Sequence, residues 1–565
     1  MKNIRLTLAT SLLALLVSLH AGESTTTNFV DATTIHPLAA PLPPLGWNSW
    51  NSFSGRIDEK TVREIADAMV SSGMKDAGYE YVVIDDFWEY GRIQRSDIPV
   101  SGNRVEPRLG RDAEGSLLAD PKRFPSGMKA LADYVHAKGL KFGIYTSPGE
   151  STCGCNTASF GHEETDLKTF AEWGVDFLKL DGCGTAEKPE VVLARWRTYI
   201  DRLDRPMVLS VNISHNFALT RQYADMWRTT QDLMPVFEFS PGALHMGESI
   251  CYGIDHQVGL EAYNGGGHWN DPDILQVGNG KFTPDQNQAH FGMWAMFGAP
   301  LMAGNDLRSM TPQIRDILVN NEVLAIDQDP AGRAGYLVLR PTSKLQVWVK
   351  PLQKCNQIAV ALFNRGSAPI EYELPLMALG IHGEAFIRDA FGHQDLGLQR
   401  NSFTTTVPAG GIRLLKISTC EFLKPPATYV EPPLNFFKGP VRIESENESL
   451  VCFYSGYTTN GLSGFSGDGY VQGKKSWDWF NLRINLPIAH AGDYLCSIRY
   501  QNSGLAPLEY KLSGKSMVFQ PTKVGEWKTA TVSISLKNKI NQLGLWSPAK
   551  DQNEVAIDYF ELQAQ

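Results

Sequence analysis

The sequence predicts an α/β protein in which a (β/α)8 TIM barrel is followed by an antiparallel β-sandwich and a second, C-terminal β-sandwich module. Between residues 45 and 330, short apolar runs rich in β-branched residues alternate with helical patterns, which is typical of a parallel sheet. From 335 to 418 and from 441 to 565, short alternating runs follow one another with turn residues between them. The stretch 419–440 contains two Pro-Pro pairs and indicates a linker between the sandwiches.

The segment 45–330 contains eight candidate strands, several of which end in acidic residues. Eight strand–helix units in about 285 residues fit a closed barrel better than an open sheet. The carboxyl ends of the strands form the active face of such a barrel, so the clustered acids predict a catalytic site there. The candidate strands are 45–50, 79–86, 141–147, 175–181, 206–212, 226–232, 269–277 and 300–306.

The segments between these strands have helical periodicity. Asp58 can cap the first helix, in which Val62, Ile65 and Met69 fall on one face before Gly73. Apolar residues recur with the same spacing at 128, 131 and 135. These amphipathic patterns predict helices that cover the outside of the barrel.

The N-terminus has the pattern of a secretory signal. Two basic residues precede an apolar run, and small residues follow it near Ala21. The alternative is a membrane anchor, but the run has about 14 residues and a membrane span needs about 20. We therefore predict a signal peptide at 1–21, a linker at 22–44 and a secreted or periplasmic protein without a membrane span.

Composition limits the class of partner. The formal net charge is −9 and no long Lys/Arg block offsets it, so a nucleic-acid partner is not expected. Aromatic residues make up 10%, which suits stacking on sugars but also serves large cores. The sequence leaves the oligomeric state unknown.

The eight cysteines divide by segment into four, two and two. Export permits disulfides, and this parity predicts the pairs Cys355–Cys420 and Cys452–Cys496.

A retaining glycosidase needs one ionised and one protonated carboxyl group, and two pairs of charged residues are candidates for these roles. Lys179 and Asp181 share one face of a strand, so the ammonium should favour the charged form of Asp181. The alternative is an ordinary buried ion pair. Arg228 and Asp232 are four residues apart, as in an acid held by an arginine or in a plain salt bridge. Because Arg228 would lower the pKa of Asp232, burial or the charge of Asp181 must offset it in an acid.

Further residues at the strand ends are candidates for ligand contacts. Asp85 and Asp86 are adjacent and can reach one ligand only from a bulge or a strand end. Trp50, Trp88 and Trp269 can stack on a sugar or pack in the core.

Six motifs in order resemble the α-galactosidases of glycoside hydrolase family 27. They span about residues 45–418, which correspond to the barrel and the first sandwich. The motifs are Leu-Gly-Trp-Asn-Ser-Trp at 45–50, Ile-Asp-Asp at 84–86, Gly-Ile-Tyr at 143–145, Leu-Lys-Leu-Asp-Gly-Cys at 178–183, Trp-Asn-Asp-Pro-Asp at 269–273 and Ile-Asp-Gln-Asp-Pro at 326–330.

The resemblance implies a retaining exo-glycosidase that removes terminal α-linked D-galactose from oligo- or polysaccharides without a catalytic cofactor. It implies that Asp181 is the nucleophile and Asp232 the acid/base. It also implies a disulfide between Cys153 and Cys183 that lines the pocket, which leaves Cys155 and Cys251 as a possible second pair. The substrate-binding residues that it implies are Trp50, Asp85, Asp86, Tyr145, Lys179, Arg228 and Asp273.

One stretch departs from the family pattern. The α-galactosidases of the family usually have Cys-Glu-Trp after the fifth strand, where the glutamate binds the sugar 2-hydroxyl, and the related α-N-acetylgalactosaminidases have smaller residues there. This chain has Ser210-Val211-Asn212-Ile213, so the match is lost. The amide of Asn212 can still bond a 2-hydroxyl. The family also includes α-N-acetylgalactosaminidases, β-L-arabinopyranosidases and an isomalto-dextranase, which remain alternatives. A catalytically silent carbohydrate-binding protein is the alternative from another class.

The segment 441–565 resembles carbohydrate-binding modules of families 6 and 35. The resemblance implies a structural Ca²⁺ held by acids in the first and last strands, and the matching acids are Glu444, Glu446 and Asp558. The alternative is exposed charge on edge strands.

Overall fold

The protein is described by a computed structural model. It describes residues 38–91, 110–238, 247–420, 423 and 426–428, and thereafter 441–444, 451–454, 456–459, 462–466, 470–473, 481–487, 492–504, 506–536, 540–546 and 555–564. The signal peptide predicted at 1–21 and most of the 22–44 linker lie outside these residues.

Eight parallel strands form the barrel, in the order β7-β6-β5-β4-β3-β2-β1-β8. A parallel bridge between Leu275, four residues after the end of the seventh strand, and Ala303 of the eighth closes the sheet. All eight predicted strands are confirmed, and each is shorter than predicted. The fourth and fifth strands begin two residues later, whereas the other six end earlier because the residues at their predicted carboxyl ends belong to loops. The strands are β1 Leu45–Asn48, β2 Tyr81–Val83, β3 Lys141–Thr146, β4 Phe177–Asp181, β5 Val208–Asn212, β6 Met226–Arg228, β7 Trp269–Asp271 and β8 Leu301–Ala303.

Helices follow the strands in the expected alternation. Asp58 caps α2 as predicted, since its carboxylate accepts the N–H of Thr61 at 2.8 Å. The apolar face of α2 is buried against the barrel. The helices are α1 Trp50–Phe53, α2 Glu59–Ser71, α3 Gly127–Ala137, α4 Glu163–Trp173, α5 Pro189–Ile200, α6 Phe217–Thr220, α7 Ile250–His256, α8 Pro284–Phe297, α9 Pro312–Leu318 and α10 Asn321–Asp327.

The first sandwich combines a six-stranded antiparallel sheet, β14-β13-β16-β11-β10-β9, with the two-stranded sheet β12-β15. Its strands alternate buried and exposed residues where one face meets solvent, as in β13. The strands are β9 Tyr336–Leu339, β10 Leu345–Pro351, β11 Gln357–Asn364, β12 Ile370–Pro375, β13 Glu384–Asp389, β14 Gln394–Arg400, β15 Ser402–Val407 and β16 Gly411–Thr419.

The barrel and this sandwich share one apolar core. Helix α8 is buried on nearly all sides and packs against β10, β11 and β16. Phe297 of α8 meets Trp348 of β10 edge-to-face, with ring centroids 5.3 Å apart. Lys350 of β10 is fully buried and donates to the carbonyl oxygen of Ala295 at 2.9 Å.

The C-terminal module is a second antiparallel sandwich with its own core. One sheet has the order β19-β20-β27-β22-β25 with β17 also paired to β27, and the other has the order β18-β21-β26-β23-β24. The strands are β17 Val441–Glu444, β18 Val451–Tyr454, β19 Gly456–Thr459, β20 Tyr470–Gly473, β21 Asn481–Pro487, β22 Gly492–Asn502, β23 Leu508–Leu512, β24 Lys515–Phe519, β25 Lys528–Leu536, β26 Ile540–Trp546 and β27 Val555–Ala564.

The disulfide predictions have different outcomes. The Cys153–Cys183 bond is present. The predicted Cys355–Cys420 bond is wrong, because both residues are exposed free thiols.

The other two predicted pairs are also wrong. Cys496 is a buried free thiol whose pKa burial raises to about 12, and its strand β22 lies in the opposite sheet from β18, the strand of Cys452. Cys155 is a free thiol in a loop, whereas Cys251 lies in α7, so this pair is not formed either. An even number of cysteines in a segment does not indicate which of them lie close together in the fold.

Among the helices of the described residues, none combines the length and the apolar character that crossing a membrane requires.

Candidate active site

The predicted site residues of the barrel all lie at the carboxyl ends of strands β1 to β7, at one mouth of the barrel. Tyr145 and Lys179 lie within strands β3 and β4, and Asp181, Asn212 and Arg228 are the last residues of β4, β5 and β6. Trp50, Asp85, Asp86, Asp232 and Asp273 follow the ends of β1, β2, β6 and β7.

Asp181 lies among charged groups. Burial raises its pKa, Lys179 and Arg228 lower it, and the charges of Asp85 and Asp232 add to the rise, so the pKa is above its ordinary value. The amide of Asn212 donates to Asp181 Oδ1 at 3.2 Å. The five charged groups therefore act on one another electrostatically at the barrel mouth.

Asp232 is the exposed member of this group, since 67% of its side chain is accessible. Arg228 is buried and its Nη2 lies 3.2 Å from Asp232 Oδ1. Desolvation raises the pKa of Asp232, but the charges of Arg228 and Lys179 outweigh it and hold the pKa below its ordinary value. A catalytic acid would need burial or the charge of Asp181 to cancel the effect of Arg228 on the pKa of Asp232. In this arrangement neither does so.

Lys179 pairs with Asp85 rather than with Asp181, two residues along its own strand. Its Nζ lies 2.7 Å from Asp85 Oδ2; the side chain of Asp85 is buried and that of Lys179 is 12% exposed. Burial lowers the pKa of Lys179, but Asp85 and Asp181 outweigh it and raise the pKa, so the lysine is charged. The same Asp85 oxygen also accepts the amide of Asn48 at 2.9 Å.

Asp86 is held by the loop that carries the disulfide. Its carboxylate accepts the backbone N–H of Gly154 at 2.6 Å and the amide of Asn156 at 3.0 Å. Burial raises the pKa of Asp86 despite these bonds. Cys153, one residue before Gly154, is bonded to Cys183, two residues after Asp181. The disulfide thus joins the Asp86 loop to the Asp181 strand end.

Asp273 anchors Arg228 from the other side. Its carboxylate lies 2.9 Å from Arg228 Nη1 and accepts the N–H of Leu233 at 2.8 Å. Burial raises the pKa of Asp273 to about 7, although Arg228 opposes the shift. Its backbone φ is 90°, a conformation that non-glycine residues rarely adopt, which is typical of functional sites.

Of the three candidate tryptophans, only Trp50 lines the mouth. Its ring stacks on Phe87 with centroids 6.3 Å apart, and it is half-buried. Trp88 and Trp269 are fully buried in the core, so for them the core alternative is confirmed. Tyr145 is buried, and Lys179 Nζ lies 5.5 Å from its ring centroid.

Sequence reasoning missed two residues of this region. Asn156 bonds Asp86 from a loop, and Glu248 accepts the N–H of Gln231 next to Asp232 at 3.1 Å. Neither residue lies at a strand end or in a recognisable motif, so no sequence signal distinguished them.

Comparison with known proteins identifies the family of the chain. The family profile described as alpha galactosidase A matches residues 42–329, and the profile described as alpha galactosidase C-terminal beta sandwich domain matches 342–417. The chain belongs to the α-galactosidase family, glycoside hydrolase family 27. It is 38% identical over 398 residues to alpha-galactosidase A of Cellvibrio japonicus, across 67% of this chain and 92% of that protein.

Solved structures of α-galactosidases share the fold. The α-galactosidase I of Mortierella vinacea matches with a TM-score of 0.61 and 30% identity over 67% of this chain and 97% of its own. The Saccharomyces cerevisiae α-galactosidase with raffinose matches with a TM-score of 0.60 and 26% identity, over 68% of this chain and 99% of its own. The protein is a glycoside hydrolase of the α-galactosidase type, and its substrate is a carbohydrate.

The predicted Ca²⁺ site of the module is described only in part. Glu446 and the side chain of Glu444 lie outside the described residues. Asp558 is fully buried, accepts the N–H and hydroxyl of Ser466, and forms an ion pair with Arg499. Both of its oxygens are therefore engaged by groups of the module.

Proposed function

We propose that the protein is a retaining exo-α-galactosidase in which Asp181 is the nucleophile and Asp232 the acid/base. The proposal depends on the electrostatic coupling of these two carboxyl groups around Arg228 at the barrel mouth. A retaining glycosidase needs two such carboxyl groups on either side of the glycosidic bond.

In the first step, Asp181 attacks the anomeric carbon while Asp232 protonates the leaving oxygen. The bond from C1 to the leaving oxygen breaks, and a glycosyl–aspartate forms. In the second step, Asp232 takes a proton from water, which attacks C1 and releases Asp181. Side chains of the chain supply every group in this sequence.

The order of the two pKa values in the free protein is the reverse of the one that the first step needs, since the pKa of Asp181 is raised and that of Asp232 lowered. Substrate binding supplies a physical reason for the exchange. A sugar in the pocket covers Asp232, which is 67% exposed, and loss of water raises the pKa of a carboxyl group. We therefore propose that the proton resides on Asp232 in the complex.

Galactose is the sugar that the binding groups support best. Asp85 and Asp86 match the family residues that bond the 4- and 6-hydroxyls, and Lys179 matches the lysine that contacts the 3- and 4-hydroxyls. All three lie at the mouth, and Lys179 and Asp85 are already paired. Raffinose bound to the yeast relative supports galactosyl oligosaccharides as the substrate class.

The group recognised at C2 of the sugar is open, because the stretch that contains Asn212 lacks the Cys-Glu-Trp motif of family α-galactosidases. Asn212 is bonded to Asp181 in the described arrangement. An α-N-acetylgalactosaminidase, a β-L-arabinopyranosidase or an isomalto-dextranase is therefore the alternative activity.

A panel of four aryl glycosides tests these proposals: the α-galactoside, the α-N-acetylgalactosaminide, the β-L-arabinopyranoside and the α-glucoside. We expect the α-galactoside to be the best substrate, with the α-anomer as the first product by NMR. A β-anomer as first product would contradict retention. Asp181→Ala should remove turnover in a folded protein, and activity near that of the unaltered protein would exclude Asp181 as the nucleophile.

We also propose that the protein is secreted or periplasmic and that the module 441–565 binds polysaccharide. The signal pattern at 1–21 supports export, and the separate core of the module supports an independent binding role. The structural Ca²⁺ at Glu444, Glu446 and Asp558 remains a proposal. It predicts that EDTA lowers the melting temperature of the module.

A further inference from the structure

Four hydrogen bonds donated by backbone N–H groups, together with the Arg228–Asp232 ion pair, fix the chain around Asp232. Glu248 Oε2 accepts the N–H of Gln231 at 3.1 Å, and the backbone N–H of Glu248 donates to the carbonyl oxygen of Asp232 at 2.9 Å. The carbonyl oxygen of Glu248 accepts the N–H of Met234 at 2.8 Å. Asp273 accepts the N–H of Leu233.

Glu248 therefore contacts this turn through both its backbone and its side chain. The two backbone bonds form a parallel bridge between Leu233 and Glu248, and any residue at 248 can make them. The side-chain bond to Gln231 is different, because only a side chain with an acceptor at that reach can make it. This bond holds the residue immediately before Asp232.

The environment of Glu248 keeps it from adding a charge to the site. The residue is buried, at 8% exposure, and burial raises its pKa to about 8. Asp273 and Asp232 add to this rise, while the Gln231 N–H and Arg228 oppose it. Below that pH, Glu248 is a neutral hydrogen-bonding group beside an exposed carboxylate.

We propose that Glu248 is a positioning residue for the acid/base, and that its carboxyl group fixes the turn 231–233 so that Asp232 reaches the leaving oxygen. This inference rests on the proposed role of Asp232. An acid that is misplaced by about 1 Å can lose about 100-fold in rate. The rate should therefore fall only for substrates whose leaving group needs a proton.

The test compares two substrates on the same protein sample. Methyl α-D-galactopyranoside needs protonation of its leaving group, whereas 2,4-dinitrophenyl α-D-galactopyranoside releases a stable phenolate and does not. We expect Glu248→Ala to lower kcat/KM for the methyl glycoside by about tenfold or more and that for the dinitrophenyl glycoside by less than about threefold. The ratio of the two values is independent of the folded fraction.

Three further variants make the result specific. Glu248→Gln retains an acceptor for the Gln231 N–H and should restore the ratio to that of the unaltered protein. If Glu248→Ala does not fold, Glu248→Asp withdraws the acceptor by one methylene and should show the same selective loss. Glu59→Ala is the control, because Glu59 is also buried and accepts a backbone N–H, from Ser126 at 3.0 Å, but lies in α2. It should leave the ratio unchanged.

Asp232→Asn separates failure of this inference from failure of the proposed function. We expect it to lose activity on the methyl glycoside far more than on the dinitrophenyl glycoside. If Asp232→Asn shows that difference and neither Glu248→Ala nor Glu248→Asp does, the role of Glu248 is overturned and that of Asp232 stands. If Asp232→Asn lowers both substrates equally, the acid/base assignment is overturned, and the inference with it.

Discussion

The side-chain amide of Asn212 donates a hydrogen bond to Asp181 Oδ1 at 3.2 Å. The two residues are also register partners at the ends of β4 and β5. The residue that departs from the family pattern is thus joined directly to the proposed nucleophile. It can act on both the nucleophile and the C2 side of the sugar.

Replacement of Asn212 by alanine should lower kcat/KM for an aryl α-galactoside about tenfold, because a hydrogen bond to a charged group contributes about 1.5–3 kcal/mol. The smaller side chain should also raise the activity on the α-N-acetylgalactosaminide relative to the α-galactoside. Ser210→Ala, two residues earlier on β5, is the matched control. An unchanged ratio in Asn212→Ala would exclude residue 212 from C2 recognition.

The pH profile should change when substrate binds. The pKa of Asp232 is held below its ordinary value in the free protein, and covering it with a sugar should raise the pKa. The alkaline limb of kcat reports the complex and that of kcat/KM the free enzyme. We therefore expect the alkaline limb of kcat to lie at a higher pH than the alkaline limb of kcat/KM. Coincident limbs would contradict proton transfer to Asp232 on binding.

Loss of the Cys153–Cys183 disulfide should weaken substrate binding more than turnover. The bond restrains the loop whose Gly154 N–H and Asn156 amide hold Asp86. We expect Cys153→Ala to raise KM about tenfold, the effect of about 1.4 kcal/mol. The control is Cys155→Ala, since Cys155 lies in the same loop as a free thiol. An equal effect in both variants would show that the disulfide has no specific role.

His290 should contribute to acid sensitivity. It is fully buried in α8, its Nε2 accepts the N–H of Gln276 at 2.9 Å, and burial lowers its pKa to about 3. A histidine in the unfolded chain titrates near pH 6.5, so between about pH 6.5 and 3 the unfolded state binds one more proton. The free energy of unfolding should therefore fall as the pH falls through this window.

The variant His290→Gln checks this expectation, because it supplies an acceptor that does not titrate. Denaturant unfolding from pH 7 to pH 4 should give a flatter free-energy profile for the variant than for the unaltered protein. Parallel profiles would show that other groups control the acid response.

Deletion of residues 437–565 should leave hydrolysis of a small aryl galactoside largely unchanged and weaken attachment to polysaccharide. The core of the module is separate from that of the barrel. Pull-down on an insoluble galactan and kinetics on the aryl substrate measure the two properties. A truncated protein that folds but does not cleave the small substrate would contradict the boundary.

The pattern of apolar runs and turns in the sequence was enough to predict the barrel. It did not predict which charged residues at the barrel mouth pair with one another. The eight strands were predictable because each is an apolar run bounded by turns, whereas their ends were placed too late because residues such as Asp86 and Asp232 look continuous with the strand. Lys179 lies beside Asp181 in sequence but bonds Asp85, 94 positions away. A choice between several acids at one mouth depends on loop geometry, which spacing does not contain.

The sequence also could not predict which of the two proposed catalytic acids has a raised pKa and which a lowered one. Lys179 near Asp181 indicated an ionised group, but burial dominates there and raises the pKa. For Asp232 the charges of Arg228 and Lys179, together with the hydrogen bond from Arg228, outweigh desolvation and lower the pKa. The balance between burial and neighbouring charges decides both cases, and it depends on the folded structure.

The contact of Phe297 with Trp348 and the burial of Lys350 against Ala295 have a consequence for recombination. A crossover between residues 330 and 335 would separate the two sides of one interior and leave large aromatic surfaces without their complement. Chimeras that exchange substrate specificity between relatives should therefore transfer residues 42–419 together, and their junctions should lie after β16.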